Sequence, residues 1–288
     1  MSKRNGSKKE RGKANKRCDS VEDCIGKGIG FLNGKDYPRA IAQFKNAAEL
    51  EKDSEYISCL LGASLLSFAE IKQDEKLFVE SCGKYEEAAR LSPQTDFIFR
   101  LWGDALYALA VFKRDEKLFH QAFEKYAESI GLNPKNVDAF FNWGCALRDL
   151  GEIKEDGKLL HESIEKFVEV FRLNPQADNL LKEWSCAVYL LCKLGGNKKA
   201  CLEAFENFAD AMQLNIGPYY RVFANVYALL NNKDKALPYL EKYLNSGNVD
   251  INTILNEAFW KPYLEDKDFV ELIDRVKRAK DASQSKLR

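Results

Sequence analysis

One spacing governs the sequence: Trp102, Trp143 and Trp184 stand 41 residues apart, and so do Pro93, Pro134 and Pro175. Two ladders of different residue types on one period require a structural unit that recurs and stacks on its neighbours. The tryptophans sit in Leu101-Trp102-Gly103-Asp104-Ala105-Leu106, Asn142-Trp143-Gly144-Cys145-Ala146-Leu147 and Glu183-Trp184-Ser185-Cys186-Ala187-Val188. The prolines close Leu91-Ser92-Pro93, Leu132-Asn133-Pro134 and Leu173-Asn174-Pro175. Between the ladders runs a second amphipathic stretch, as in Phe119 to Leu132, where Ala122, Phe123, Tyr126 and Ile130 recur at three- and four-residue steps. Each period therefore reads as two helices, A and B. Proline ends helix B because it lacks an amide hydrogen and pushes the residue before it out of helical geometry.

These residues resemble the tetratricopeptide-repeat family, whose pattern sets a large residue, Leu-Gly and Tyr in helix A, then Ala, Phe and Pro in and after helix B. In the third unit the matching places hold Phe99, Trp102, Gly103, Leu106, Ala122, Tyr126 and Pro134. The fourth has Phe140, Trp143, Gly144, Leu147, Ser163, Phe167 and Pro175. A fifth follows with Leu181, Trp184, Ser185, Val188, Ala204, Phe208 and Ala211, and a second precedes with Leu61, Gly62, Leu65, Ser81, Tyr85, Ala88 and Pro93. Gly28, Phe31, Ala40, Phe44 and Ala47 mark a first unit, and Phe223, Ala224, Tyr227, Ala236 and Leu240 a last. The resemblance implies an all-α, right-handed α-solenoid of antiparallel helix pairs. Six pairs span 20–250, after a basic tail over 1–19 and before capping helices and a short polar tail over 251–288. In that last segment the sequence predicts a short helix, a break at Trp260-Lys261-Pro262 and a final amphipathic helix that covers the last repeat.

The middle units exceed the ~34 residues usual for the family, and the excess lies between helix A and helix B. It repeats as Asp74-Glu75-Lys76-Leu77, Asp115-Glu116-Lys117-Leu118 and Asp156-Gly157-Lys158-Leu159. This predicts longer helices rather than a loop, with each Asp capping the incoming helix B through that helix's unpaired amides.

Composition excludes several functions. The 44 Lys and Arg balance 44 Asp and Glu, yet residues 1–17 carry eight basic side chains against Glu10 alone. No stretch reaches the ~18 apolar residues of a membrane span. The greasiest run, Cys59 to Ala69, contains Gly62, Ser64 and Ser67 and suits a buried helix. The eight cysteines lack the two-residue gaps of a zinc site, and six lie in apolar helical patterns, so they are expected reduced, in a cytoplasmic protein. The only histidines, His120 and His161, are themselves 41 residues apart, so they point along the stack and not towards one another. Gly26-Lys27-Gly28-Ile29-Gly30 lies inside a helix A pattern with no strand before it, which argues against a phosphate loop. No catalytic set, metal site, cofactor or small-molecule substrate is expected, and the chain reads as a non-enzyme.

Function is then expected on the concave face that the resemblance assigns to the A helices. If Trp102 points into the stack, another stripe of the same helix carries Phe97, Arg100, Asp104 and Tyr107. Equivalent places hold Phe141, Cys145 and Arg148, then Lys182, Cys186 and Tyr189, then Arg221 and Asn225. Aromatic and Arg side chains are the types enriched where protein partners are anchored. Family members that grip chaperone tails use a Lys, Asn, Asn, Lys, Arg set here. This chain has Arg100, Asp104, Asn142, Asn179 and Glu183 instead, so that clamp is missing. The expectation is a scaffold that binds a partner protein or peptide. The alternative is an adaptor whose Lys3–Arg17 tail contacts nucleic acid or the ribosome, since clustered cations neutralise phosphates without a fold.

Overall fold

The structure, a computed structural model, describes residues 19–194, 198–211, 220–246, 249, 251–256 and 258–285. The basic run Lys3–Arg17 lies outside the described residues. Helices α1 (Val21–Asn33) and α2 (Tyr37–Leu50), α3 (Glu55–Lys72) and α4 (Glu75–Leu91), and α5 (Asp96–Lys113) and α6 (Glu116–Leu132) form successive hairpins. They are followed by α7 (Val137–Lys154), α8 (Gly157–Leu173), α9 (Leu180–Lys193), α10 (Lys198–Ala211), α11 (Tyr220–Leu229) and α12 (Lys233–Asn245). The chain ends in α13 (Ile251–Asn256), a 3-10 turn (Ala258–Tyr263) and α14 (Lys267–Ser285). Among the described residues there is no strand. The fold class is the all-α, tetratricopeptide-type array of antiparallel helix pairs. The chain divides into two compact units, Met1–Asn142 and Trp143–Arg288.

Helix lengths explain the 41-residue period. In the second to fourth units helix A has 18 residues and helix B 17, so the extra chain extends both helices rather than forming a loop. The predicted caps are present. Asp74, Asp115 and Asp156 accept from the amides of Lys76, Lys117 and Lys158 at 2.9, 2.9 and 2.8 Å. Helix B stops at Leu91, Leu132 and Leu173, two residues before each proline. A fourth ladder lies between A and B, where Gln73, Arg114 and Glu155 take left-handed φ values of 52°, 53° and 51°. None is glycine, so each turn carries roughly 1 kcal/mol of backbone strain that the surrounding packing holds in place.

One contact joins A to B in every hairpin where helix A carries glycine. A β-carbon on Gly62 would stand 2.8 Å from the Tyr85 ring, on Gly103 2.7 Å from Tyr126, and on Gly144 2.8 Å from Phe167. Gly28 meets Phe44 in the same way. The missing side chain lets a whole aromatic ring enter the helix–helix interface, and each buried ring contributes on the order of 1.5–3 kcal/mol. Ser81 and Ser163 add a second link by donating to the carbonyl oxygens of Gly62 and Gly144, at 2.8 and 2.7 Å.

The tryptophan ladder is less uniform than its spacing suggests. Trp184 is fully buried, between Phe171 and Phe208. Trp102 and Trp143 are half-buried, each under a lysine ammonium, Lys125 at 4.3 Å and Lys166 at 4.1 Å from the ring centre. Those lysines are themselves 41 residues apart, and one period further Asn207 cannot supply the cation.

The terminal segment consists of the short helix α13, a 3-10 turn that contains Trp260, Lys261 and Pro262, and the final helix α14. Trp260 is buried, stacks on Phe269 with ring centres 5.4 Å apart, and packs with Leu240, Leu244 and Ile273 under the end of the last hairpin. One expectation is overturned. Cys192 and Cys201 are joined in a disulfide with Cα atoms 5.0 Å apart, because the hairpin register brings the end of α9 against the start of α10. Cys59, Cys82, Cys145 and Cys186 are free thiols.

Candidate functional site

In the first unit the A-helix stripe has a charged node. Arg100 Nη1 donates to Asp104 Oδ2 at 2.8 Å, one helical turn along α5. The Tyr126 phenol donates to Asp104 Oδ1 at 2.9 Å from α6, and Asn142 Nδ2 donates to the same oxygen at 2.7 Å from α7. The carboxylate thus ties three helices together. Burial holds the Asp104 carboxyl above the usual carboxylate range, against the pull of Arg100 and the two hydrogen bonds. The node belongs to the third repeat, within the first compact unit, and the fourth repeat lacks it, since one period on Cys145 replaces Asp104 and Phe167 replaces Tyr126. Beside the node, Phe97 is 47% exposed, whereas Tyr107 and Phe141 are half-buried, with Tyr107 6.0 Å from the Phe119 ring. Tyr56, one period before Phe97, is 53% exposed and extends the aromatic edge within this unit.

In the fourth repeat, within the second compact unit, the corresponding charge is Arg148. Its Nη2 lies 2.6 Å from Asp149 Oδ1, and its Nη1 binds Glu183 of α9. Lys182 reaches Glu183 at 3.3 Å yet stays exposed. Cys145 beside them is half-buried and its thiol is pushed up to about 12 by desolvation, so it is a packing group and not a nucleophile. Cys186 is exposed, with its thiol also raised by desolvation.

A pocket of about 300 Å³ opens between α9 and α11, lined by Ser185, Cys186, Tyr189, Arg221, Val222 and Asn225. Four of these six were expected from the sequence as stripe residues. Arg221 is exposed at the rim, 6.0 Å from the Tyr243 ring. Asn225 differs from its expected role: it is buried, and its side-chain oxygen accepts from the Trp260 indole at 3.2 Å. It forms the floor and anchors the terminal segment, a task that no spacing in the sequence announces.

His120 and His161 are partly exposed, beside Glu116 and Glu165 on the same helix. Among the described residues no group of three or more His, Cys, Asp and Glu side chains is arranged to hold a metal ion. No described helix is long and apolar enough to cross a membrane.

No family model and no curated protein matches the sequence. Solved structures do match in fold. A crystal structure of MamA protein aligns with a TM-score of 0.51 at 15% identity, over 69% of this chain and 94% of that one. A structure of pilF from Pseudomonas aeruginosa aligns with a TM-score of 0.50 at 18% identity, over 82% and 96%. YrrB, described as a TPR protein with an unusual peptide-binding site, aligns at 0.49 and 18% identity, over 78% and 95%. At these identities the likeness to MamA and pilF is one of fold alone.

Proposed function

We propose that the chain is a non-catalytic interaction scaffold that holds a partner peptide or helix against the A-helix face. The carrying observation is the pocket between α9 and α11, where Cys186, Tyr189 and Arg221 present an apolar recess with a cation at its rim. Its volume suits one large side chain of a partner, and aromatic and Arg walls are the kind that anchor such a residue. The exposed Phe97 and Tyr56 give the first unit an edge of the same character. Arg100 and Arg148 have a different role, since their carboxylate partners hold them as struts of the face rather than as contacts for a ligand.

The test compares the wild-type chain with Phe97→Ala, Lys182→Ala and Arg221→Ala in affinity purification followed by mass spectrometry. All three side chains are exposed, so helix content and melting should not move. Loss of one common set of partners supports the reading, and a partner set untouched by all three removes it.

A further inference from the structure

In the second to fourth hairpins a small residue near the end of helix A pairs with a large one at the start of helix B. The pairs are Ala69 with Phe78, Ala110 with Phe119, and Gly151 with Leu160, and all six residues are buried. Ala69 and Phe78 share one core cluster, and a β-carbon on Gly151 would stand 3.0 Å from Leu160 Cδ2. Each pair closes its hairpin at the turn end. One period beyond Gly151 and Leu160 the residues are Cys192 and Cys201. Here the contact is a covalent bond, and both side chains are at least nine-tenths buried. A disulfide has replaced the small-against-large packing pair.

We propose that the Cys192–Cys201 disulfide is a redox-switched staple that closes the fifth hairpin. Two small-molecule thiols reduce it: the sulfur–sulfur bond breaks, each cysteine gains one electron and one proton, and the donors leave joined as one small disulfide. Exchange with a small-molecule disulfide runs the reaction backwards. Once reduced, the two thiols move apart to ordinary contact distance. Neither fills the space that Phe78, Phe119 or Leu160 fills in its own hairpin, so no packing pair takes the bond's place. The hairpin then opens at its turn end. Burial raises Cys59 to about 11 and Cys82 and Cys145 to about 12, and desolvation also raises Cys186, so none of these four free thiols is held as a ready thiolate. The switch acts on the candidate site, since α9 carries Lys182, Cys186 and Tyr189 as well as Cys192. In a reducing compartment a disulfide of this kind is transient, which suits a regulatory bond better than a structural one.

Amide hydrogen exchange on the full chain tests the staple, with glutathione disulfide in one sample and dithiothreitol in the other. Reduction should speed exchange in α9 and α10 about tenfold or more, the scale set by opening a short covalent loop, and leave α3 to α6 unchanged. The double variant Cys192→Ala with Cys201→Phe installs the pair used by the second and third hairpins, and should exchange slowly in both samples. Equal exchange of the wild type in both conditions overturns the proposal, as does a double variant that still responds to dithiothreitol. Alkylation read by mass overturns it too if Cys192 and Cys201 are labelled after treatment with glutathione disulfide.

Discussion

The Tyr126 ring occupies the place that a side chain on Gly103 would need, 2.7 Å from the position of its β-carbon. Tyr126 is fully buried and its hydroxyl is held by Asp104, so the ring cannot swing away. Gly103→Ala should therefore destabilise the chain by about 1–3 kcal/mol, even though alanine is the better helix former. Gly83 in α4 is the matched control, because nothing stands within 4 Å of its β-carbon position. Gly83→Ala should stabilise by about 0.5–1 kcal/mol. Urea unfolding followed by circular dichroism reads both, and equal effects would show that the ring contact is not what makes Gly103 necessary.

Asp104 gives the fold a pH dependence of unusual sign. Burial raises its carboxyl above the ordinary 3.8, so the native side chain keeps its proton more tightly than the unfolded one. Its contribution to stability is highest at low pH, falls as pH rises from near 3.8 through the folded value, and is level above that. The stability difference between wild type and Asp104→Asn should shift against the wild type as pH is raised across this window. Urea midpoints of both proteins at a series of pH values measure it. A difference that moves in favour of the wild type would mean that Arg100 and the two hydrogen bonds outweigh burial.

The repeated Asp caps are predicted to be worth about 1 kcal/mol each. Asp115→Ala leaves the Lys117 amide without its 2.9 Å acceptor and should lower stability by that amount. Asp115→Asn, which keeps an oxygen at the same place, should recover most of the loss. Thermal melts of the two variants separate capping from any general effect of removing a charge.

Arg148 stands between two carboxylates, with side chains of Asp149 and Glu183 only 25% and 18% exposed. Arg148→Ala should cost about 1–2 kcal/mol, less than a fully buried pair because water and Lys182 partly compensate. Arg148→Lys should recover only part, since a single ammonium cannot bridge both acids as a guanidinium does. Urea titration of the two variants checks the order. If lysine restores full stability, the strut is purely a matter of charge.

What the sequence determined by itself follows from features that repeat along the chain. The 41-residue spacing, the helix lengths, the Asp caps and the stops before proline were all legible because each is a local signal or one copied from unit to unit. The left-handed turns at Gln73, Arg114 and Glu155 were not legible, since no glycine marks them. Tertiary structure alone decided the pairings between residues that share no period. Asp104 meets Tyr126 and Asn142, Arg148 meets Glu183, and Asn225 is taken by Trp260. Those contacts depend on how far one helix slides and rotates against the next, a register set by packed rings on glycine and not by any one segment's own pattern.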